Sequence, residues 1–144
     1  MRMGRTRRRQ ADADVKKVLV VEDDRAIREM IVAALAEAGY AVAAARNGAE
    51  GLERCRLFGP DVVVLDLMMP EVDGVEFLKR RPAEGCQAPV VVMSAAFHRA
   101  SLPEDIPVDA FIEKPFPIDV FLETVAAQTP EGDAAARRRR MSRN

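Results

Sequence analysis

Four short apolar runs constrain this 144-residue chain more than any other feature: VLVV ahead of Glu22-Asp23, VVVL ahead of Asp66, VVVM ahead of Ser94, and AFIE ahead of Lys114. Runs of Val, Leu and Ile without polar alternation suit strands covered on both faces, the condition of a parallel sheet flanked by helices. Open parallel sheets bind ligands outside the carboxyl ends of their strands. Each run is followed by a residue able to bind a phosphoryl group or the metal beside it, so the chemistry converges on one edge.

Helical spacing fills the gaps between the runs. After a strand at Lys17–Val21, the residues Ile27, Met30, Ile31, Ala34 and Leu35 recur with the period of one helix face, and Gly39 is placed to end that helix. Residues 41–45 (AVAAA) predict a weak second strand, Asn47-Gly48 opens a helix through about Arg56, and Gly59-Pro60 breaks the chain before a strand at Val62–Leu65. Gly74 precedes a third helix carrying Val75, Phe77 and Leu78, which stops near Pro82. Strands at Val90–Met93 and Ala110–Ile112 follow, and Pro117 suits the first turn of a last helix carrying Ile118, Phe121, Leu122 and Val125. Strands joined by helical crossovers predict a doubly wound α/β sheet with right-handed connections.

The residues at the expected sheet edge are three carboxylates (Glu22, Asp23, Asp66), a hydroxyl (Ser94) and an ammonium followed by proline (Lys114-Pro115). A carboxylate can attack phosphorus to form an aspartyl phosphate when a metal and a cation neutralise the charge gathered at the transition state. Mg²⁺ suits such a site because it takes one or two carboxylates and completes its octahedron with water and phosphate oxygens. Taken singly, each residue has a plainer reading. An Asp after a buried strand commonly caps a helix or forms a turn, Met68 and Met69 are ordinary gap fillers, and Phe111 is a plain core aromatic. The conjunction is what argues for chemistry.

In order and spacing, the segments VLVVEDD, VVVLDLMMPEVDG, VVMSA and DAFIEKPF resemble the receiver domain of bacterial two-component response regulators, the CheY-like superfamily, over residues 16–127. The resemblance implies a flavodoxin-like five-stranded parallel sheet of order 2-1-3-4-5. It implies Asp66 as phosphoacceptor and Glu22 with Asp23 as the acidic pair for Mg²⁺, Asp23 binding directly and Glu22 through water. The Met68 backbone carbonyl would complete the protein ligands. Asp24, one place later, reads as the start of the first helix; a slip of one residue would exchange its role with that of Asp23. Ser94 corresponds to the switch hydroxyl, Lys114 to the cation that pairs with the phosphate, and Phe111 to the aromatic that turns inward when the hydroxyl moves. Lys114-Pro115 resembles the family's cis peptide. One stretch departs from the pattern. Between Ser94 and Lys114, AAFHRASLPEDIPVD contains Pro103 and Pro107, each costing about 3 kcal/mol inside a helix. Helix four, the crossover before the fifth strand, is therefore expected to be shortened or absent. His98 in this stretch has no partner at ligand or base spacing and reads as an exposed loop residue.

Composition bounds the rest. At 49% hydrophobic and 31% charged, the chain suits one domain with a buried core. No apolar stretch approaches the roughly 18 residues needed to span a membrane. The Arg-rich start runs into QADADVKK, unlike a secretory signal, so a cytoplasmic location is expected. Cys55 and Cys86, without neighbouring Cys or His, read as reduced packing residues with no role. Charge is divided unevenly: residues 10–129 hold 12 Lys or Arg against 21 Asp or Glu, while the flanking segments hold 10 Arg against Glu131 and Asp133. The expected division is a disordered basic arm at 1–14, a receiver domain at 15–128 and a disordered basic tail at 129–144.

The resemblance then implies a single-domain response regulator, a switch rather than an enzyme. It would be phosphorylated on Asp66 by a sensor histidine kinase or phosphotransfer protein and would signal by binding an unknown downstream protein. A phosphatase of the haloacid dehalogenase type would place a second Asp where Met68 stands. The alternative is a phosphorylation-independent scaffold or nucleic-acid-binding protein using the Arg arms, disfavoured because no aromatic side chain is interleaved there for base stacking.

Overall fold

The computed structural model describes residues 15–69, 73–95, 102 and 104–129. Strands and helices alternate as β1 (Lys17–Val21), α1 (Arg25–Glu37), β2 (Ala41–Ala45), α2 (Gly48–Phe58), β3 (Val62–Asp66), α3 (Gly74–Arg80), β4 (Val90–Ser94), β5 (Ala110–Glu113) and α4 (Ile118–Ala127). All strands pair parallel, in the order β2-β1-β3-β4-β5. This is the doubly wound sheet that strands alternating with helices predict, in the five-stranded order that the resemblance implies.

The sheet explains why the runs carry no polar residue. Alternate residues feed two cores, one on each face. Leu19, Val21, Val63, Leu65, Val90 and Val92 pack with Leu52 of α2 and Phe77 and Leu78 of α3. Val18, Val20, Val62, Val64, Val91 and Met93 pack on the opposite face with Ile31 and Leu35 of α1 and Phe121 and Val125 of α4. A polar side chain within the VLVV, VVVL or VVVM runs would meet apolar neighbours whichever way it pointed.

Local caps place the helices. The side chains of Asp24, Asn47 and Asp73 accept from the backbone N–H groups of Ile27, Glu50 and Glu76 and so begin α1, α2 and α3. Gly39 follows the end of α1 with a φ of 102°. The helix α2 runs to Phe58, two residues past the expected end, because Gly59 closes it in the left-handed conformation with its N–H donating to the Cys55 carbonyl. β3, β4 and β5 each extend one residue beyond the expected strand, since Asp66 pairs with Met93 and Ser94 with Glu113. Pro117 lies just outside α4 as its N-cap, where a fixed φ and a missing N–H cost nothing.

Between β4 and β5, Glu104 and Asp105 form a turn, and no helix occurs among the described residues of this connection. Residues 96–101 and 103, including His98, lie outside the described residues, as do the arms at 1–14 and 130–144. Leu102, Ile106 and Val108 pack against the core beside β4. Asp109 ties the connection to the sheet, its carboxylate accepting from Val90 N–H at 2.8 Å.

One expectation is overturned. Cys55 and Cys86 are joined as a disulfide, with Cα atoms 5.8 Å apart across 31 residues of sequence. Sequence spacing held no sign of this, because the fold brings the last turn of α2 against the connection between α3 and β4. Arg81, buried in the same connection, donates to the carbonyls of Ala88 at 2.5 Å and Cys86 at 3.4 Å. Burial lowers its pKa, and Asp109 opposes that shift.

Candidate functional site

β1, β3, β4 and β5 deliver their last residues to one edge. Glu22 leaves β1 with its N–H on the Ala45 carbonyl at 3.1 Å, and its carboxylate is 1% exposed. Asp23 is exposed, and Asp24 turns its side chain to Ile27 N–H at 3.0 Å. Asp66 ends β3 at 4% exposure, with Oδ1 accepting from Met68 N–H at 3.1 Å. Lys114, following β5, puts Nζ 2.8 Å from Glu22 Oε2 and 3.5 Å from Asp66 Oδ2. The Lys114 N–H donates to the Ser94 carbonyl at 2.7 Å, so the ends of β4 and β5 bring Ser94 and Lys114 side by side. The Lys114-Pro115 peptide is cis, and Phe116 of the same connection stacks on Phe121 of α4 with ring centroids 5.2 Å apart.

One carboxylate oxygen each from Glu22, Asp23 and Asp66 can be chosen so that all lie within 4.8 Å of one another. An all-oxygen, acidic donor set suits a hard divalent cation such as Mg²⁺. Asp24 is outside this cluster because it caps α1. Ser94 is fully buried, and its Oγ has no hydrogen-bond partner among the described residues. An unpaired buried hydroxyl costs stability, so a phosphoryl oxygen arriving here would satisfy it. The Met68 side chain is 60% exposed, Met69 is buried as a packing residue, and Phe111 lies half-buried on β5 opposite Val92.

Electrostatics show that the site is short of positive charge. Burial pushes the Glu22 carboxyl up to about 7; the Lys114 hydrogen bond opposes this, and the Asp66 charge adds to it. Burial also raises Asp66, against the Lys114 charge and the Met68 N–H. Burial would pull Lys114 down, but its hydrogen bond to Glu22 and the charges of Glu22 and Asp66 outweigh this and raise it. One ammonium among three carboxylates leaves room for a second cation.

Two site residues carry little sequence signal. Gly74 reads as a helix opener, yet a Cβ there would lie 2.5 Å from Leu67 Cα and 2.6 Å from the Asp66 carbonyl oxygen. Arg28 looks like a solvent-facing charge of α1, yet its Nη1 donates to the Glu22 and Asp23 carbonyls at 3.0 and 3.2 Å.

The fold and this edge define a two-component receiver: the chain belongs to the response regulator receiver domain family, whose model matches residues 18–126. Response regulator MprA of Mycobacterium avium (strain 104) is 36% identical over 127 residues, covering 82% of this chain and 54% of that protein. The chain thus spans about half the length of that relative. The receiver domain of the Francisella response regulator 1452 matches with a TM-score of 0.71 at 32% identity, over 78% of this chain and 95% of that one. Chemotaxis protein CheY4 of Vibrio cholerae matches with a TM-score of 0.70 at 28% identity, over 78% and 98%. Among the described residues no helix is long and apolar enough to cross a membrane.

Proposed function

We propose that the chain is a phosphoaccepting switch in which Asp66 takes a phosphoryl group from the phosphohistidine of a sensor kinase or phosphotransfer protein. The observation that carries this reading is the Asp66 carboxylate at the end of β3, 3.5 Å from the Lys114 ammonium and grouped with the Glu22 and Asp23 carboxylates. An Asp66 oxygen attacks phosphorus, the P–N bond breaks, and the imidazole leaves with the electron pair. Lys114 neutralises charge on the transferring oxygens, and the Ser94 hydroxyl donates to one of them. Mg²⁺, held by Asp23, Glu22, Asp66 and the Met68 carbonyl, would supply further charge neutralisation when bound.

The product acts by changing shape. An aspartyl phosphate adds about 1.5 to 2 negative charges beside Lys114. Movement of Ser94 toward it would vacate space for the half-buried Phe111, altering the β4–β5 region that a downstream protein reads. The chain assists its own phosphorylation and dephosphorylation but turns over no substrate, and its expected setting is the cytoplasm. With a phosphohistidine donor or acetyl phosphate and Mg²⁺, intact mass should show one phosphoryl group, absent in Asp66→Asn. Undiminished labelling of Asp66→Asn would place the acceptor elsewhere.

A further inference from the structure

The loop between β1 and α1 holds two of the three clustered carboxylates, and its main chain is secured at both ends. Glu22 N–H is fixed to Ala45 of β2, Asp24 N–H donates to Glu22 Oε1 at 3.2 Å, and the Asp24 carbonyl accepts from Arg28 N–H at 2.9 Å. These bonds leave open the tilt of the peptide plane that follows Glu22, and they hold the plane that follows Asp23 only through its Asp24 N–H. That tilt decides where the Asp23 carboxylate projects, because Asp23 lies beyond the strand and is exposed. Arg28 reaches back from the first turns of α1 and donates, through one nitrogen, to the carbonyls of both residues. Two successive carbonyls that share one donor must converge on it, so this side chain sets the first plane and braces the second from its carbonyl side. Charge-assisted bonds of this kind are stronger than neutral ones.

We propose that Arg28 is a positioning residue for divalent-cation binding, holding the Glu22 and Asp23 carbonyls so that the Asp23 carboxylate stands with those of Glu22 and Asp66. The inference rests on the metal-dependent reading given above. Partners that orient metal ligands typically cost 10–100-fold in affinity when removed. Electrostatics alone gives the opposite sign, since a cation near the site repels Mg²⁺ and its removal would tighten binding. The direction of the change therefore separates positioning from charge.

The test is calorimetric titration of Mg²⁺ into the full 144-residue chain, without phosphoryl donor, together with thermal unfolding with and without Mg²⁺. Arg28→Met should bind about tenfold or more weakly than wild type. Arg28→Lys, which keeps a donor for one carbonyl, should recover part of the loss. The core variant Ile31→Val, which loosens α1 without touching the loop, should bind like wild type. Equal affinity in Arg28→Met and wild type, or tighter binding in Arg28→Met, overturns the proposal. An equal loss in Ile31→Val reduces Arg28 to a general stabiliser and overturns it too. If Arg28→Met does not fold, Arg28→Lys decides, since wild-type affinity there is the overturning result. Failure of wild type itself to bind Mg²⁺ overturns the metal reading and this inference with it. Binding by wild type that Asp23→Ala leaves unchanged refutes the ligand assignment of Asp23.

Discussion

Glu22 is the residue whose protonation the fold changes most legibly. Its folded pKa of about 7 stands above its ordinary value near 4.5, so the folded chain holds this proton more tightly than the unfolded one. Between these values the unfolded chain has lost the proton while the folded chain keeps it, so stability falls as pH rises through the window. Asp66 is shifted the same way. A divalent cation competes with these protons, so its stabilising effect should grow over the same range. Thermal melts from about pH 5 to 8 should show a falling metal-free midpoint and a widening gap on adding Mg²⁺, and Glu22→Gln should flatten the metal-free slope. A wild-type slope identical to that of Glu22→Gln would mean that Glu22 titrates normally. None of this follows from sequence, where Glu22 is one acidic residue in a run of three; its shift arises from burial and from the Asp66 charge, against the pull of Lys114.

At the scale of elements, the strands were legible because a parallel strand covered on both faces is built from apolar residues, and the short, Val-rich runs that open VVVLD and VVVMS fit a strand better than a helix. Helix positions followed from period and caps. The connection from β3 to α3 was less legible, because its constraint is spatial: α3 has only seven residues, and its first, Gly74, lies against the backbone of Leu67 and Asp66. Backbone cannot move aside as a flexible side chain does. Gly74→Ala should therefore cost about 1–3 kcal/mol in urea unfolding, and it should also slow Asp66 labelling by shifting the loop that carries the Met68 N–H. Wild-type stability in this variant would show that α3 can retreat. The β4–β5 connection illustrates the converse. Pro103 and Pro107 argue against a long helix there, but sequence did not show Asp109 returning to Val90 to tie the connection to the sheet.

For the whole molecule, the disulfide is the feature that sequence reasoning placed wrongly. Cys55 and Cys86 are 31 residues apart with no local pattern linking them, and only the packing of α2 against the α3–β4 connection brings them together. By chain-entropy scaling, closing a loop of this length should stabilise the fold by about 3–4 kcal/mol. Urea unfolding of Cys86→Ala, or of wild type in reductant, should show a loss of that order, and no loss would mean that the thiols stay reduced in solution. The bond also turns residues 55–86 into a covalent ring that carries Asp66 on its circumference. Met68 and Met69 lie on the ring, while Met30 and Met93 lie outside it. Cyanogen bromide, which cuts after methionine, should therefore release segments 31–68 and 70–93 as one species that separates only on reduction. A cut two residues past Asp66 would open the ring into two pieces and leave them tethered.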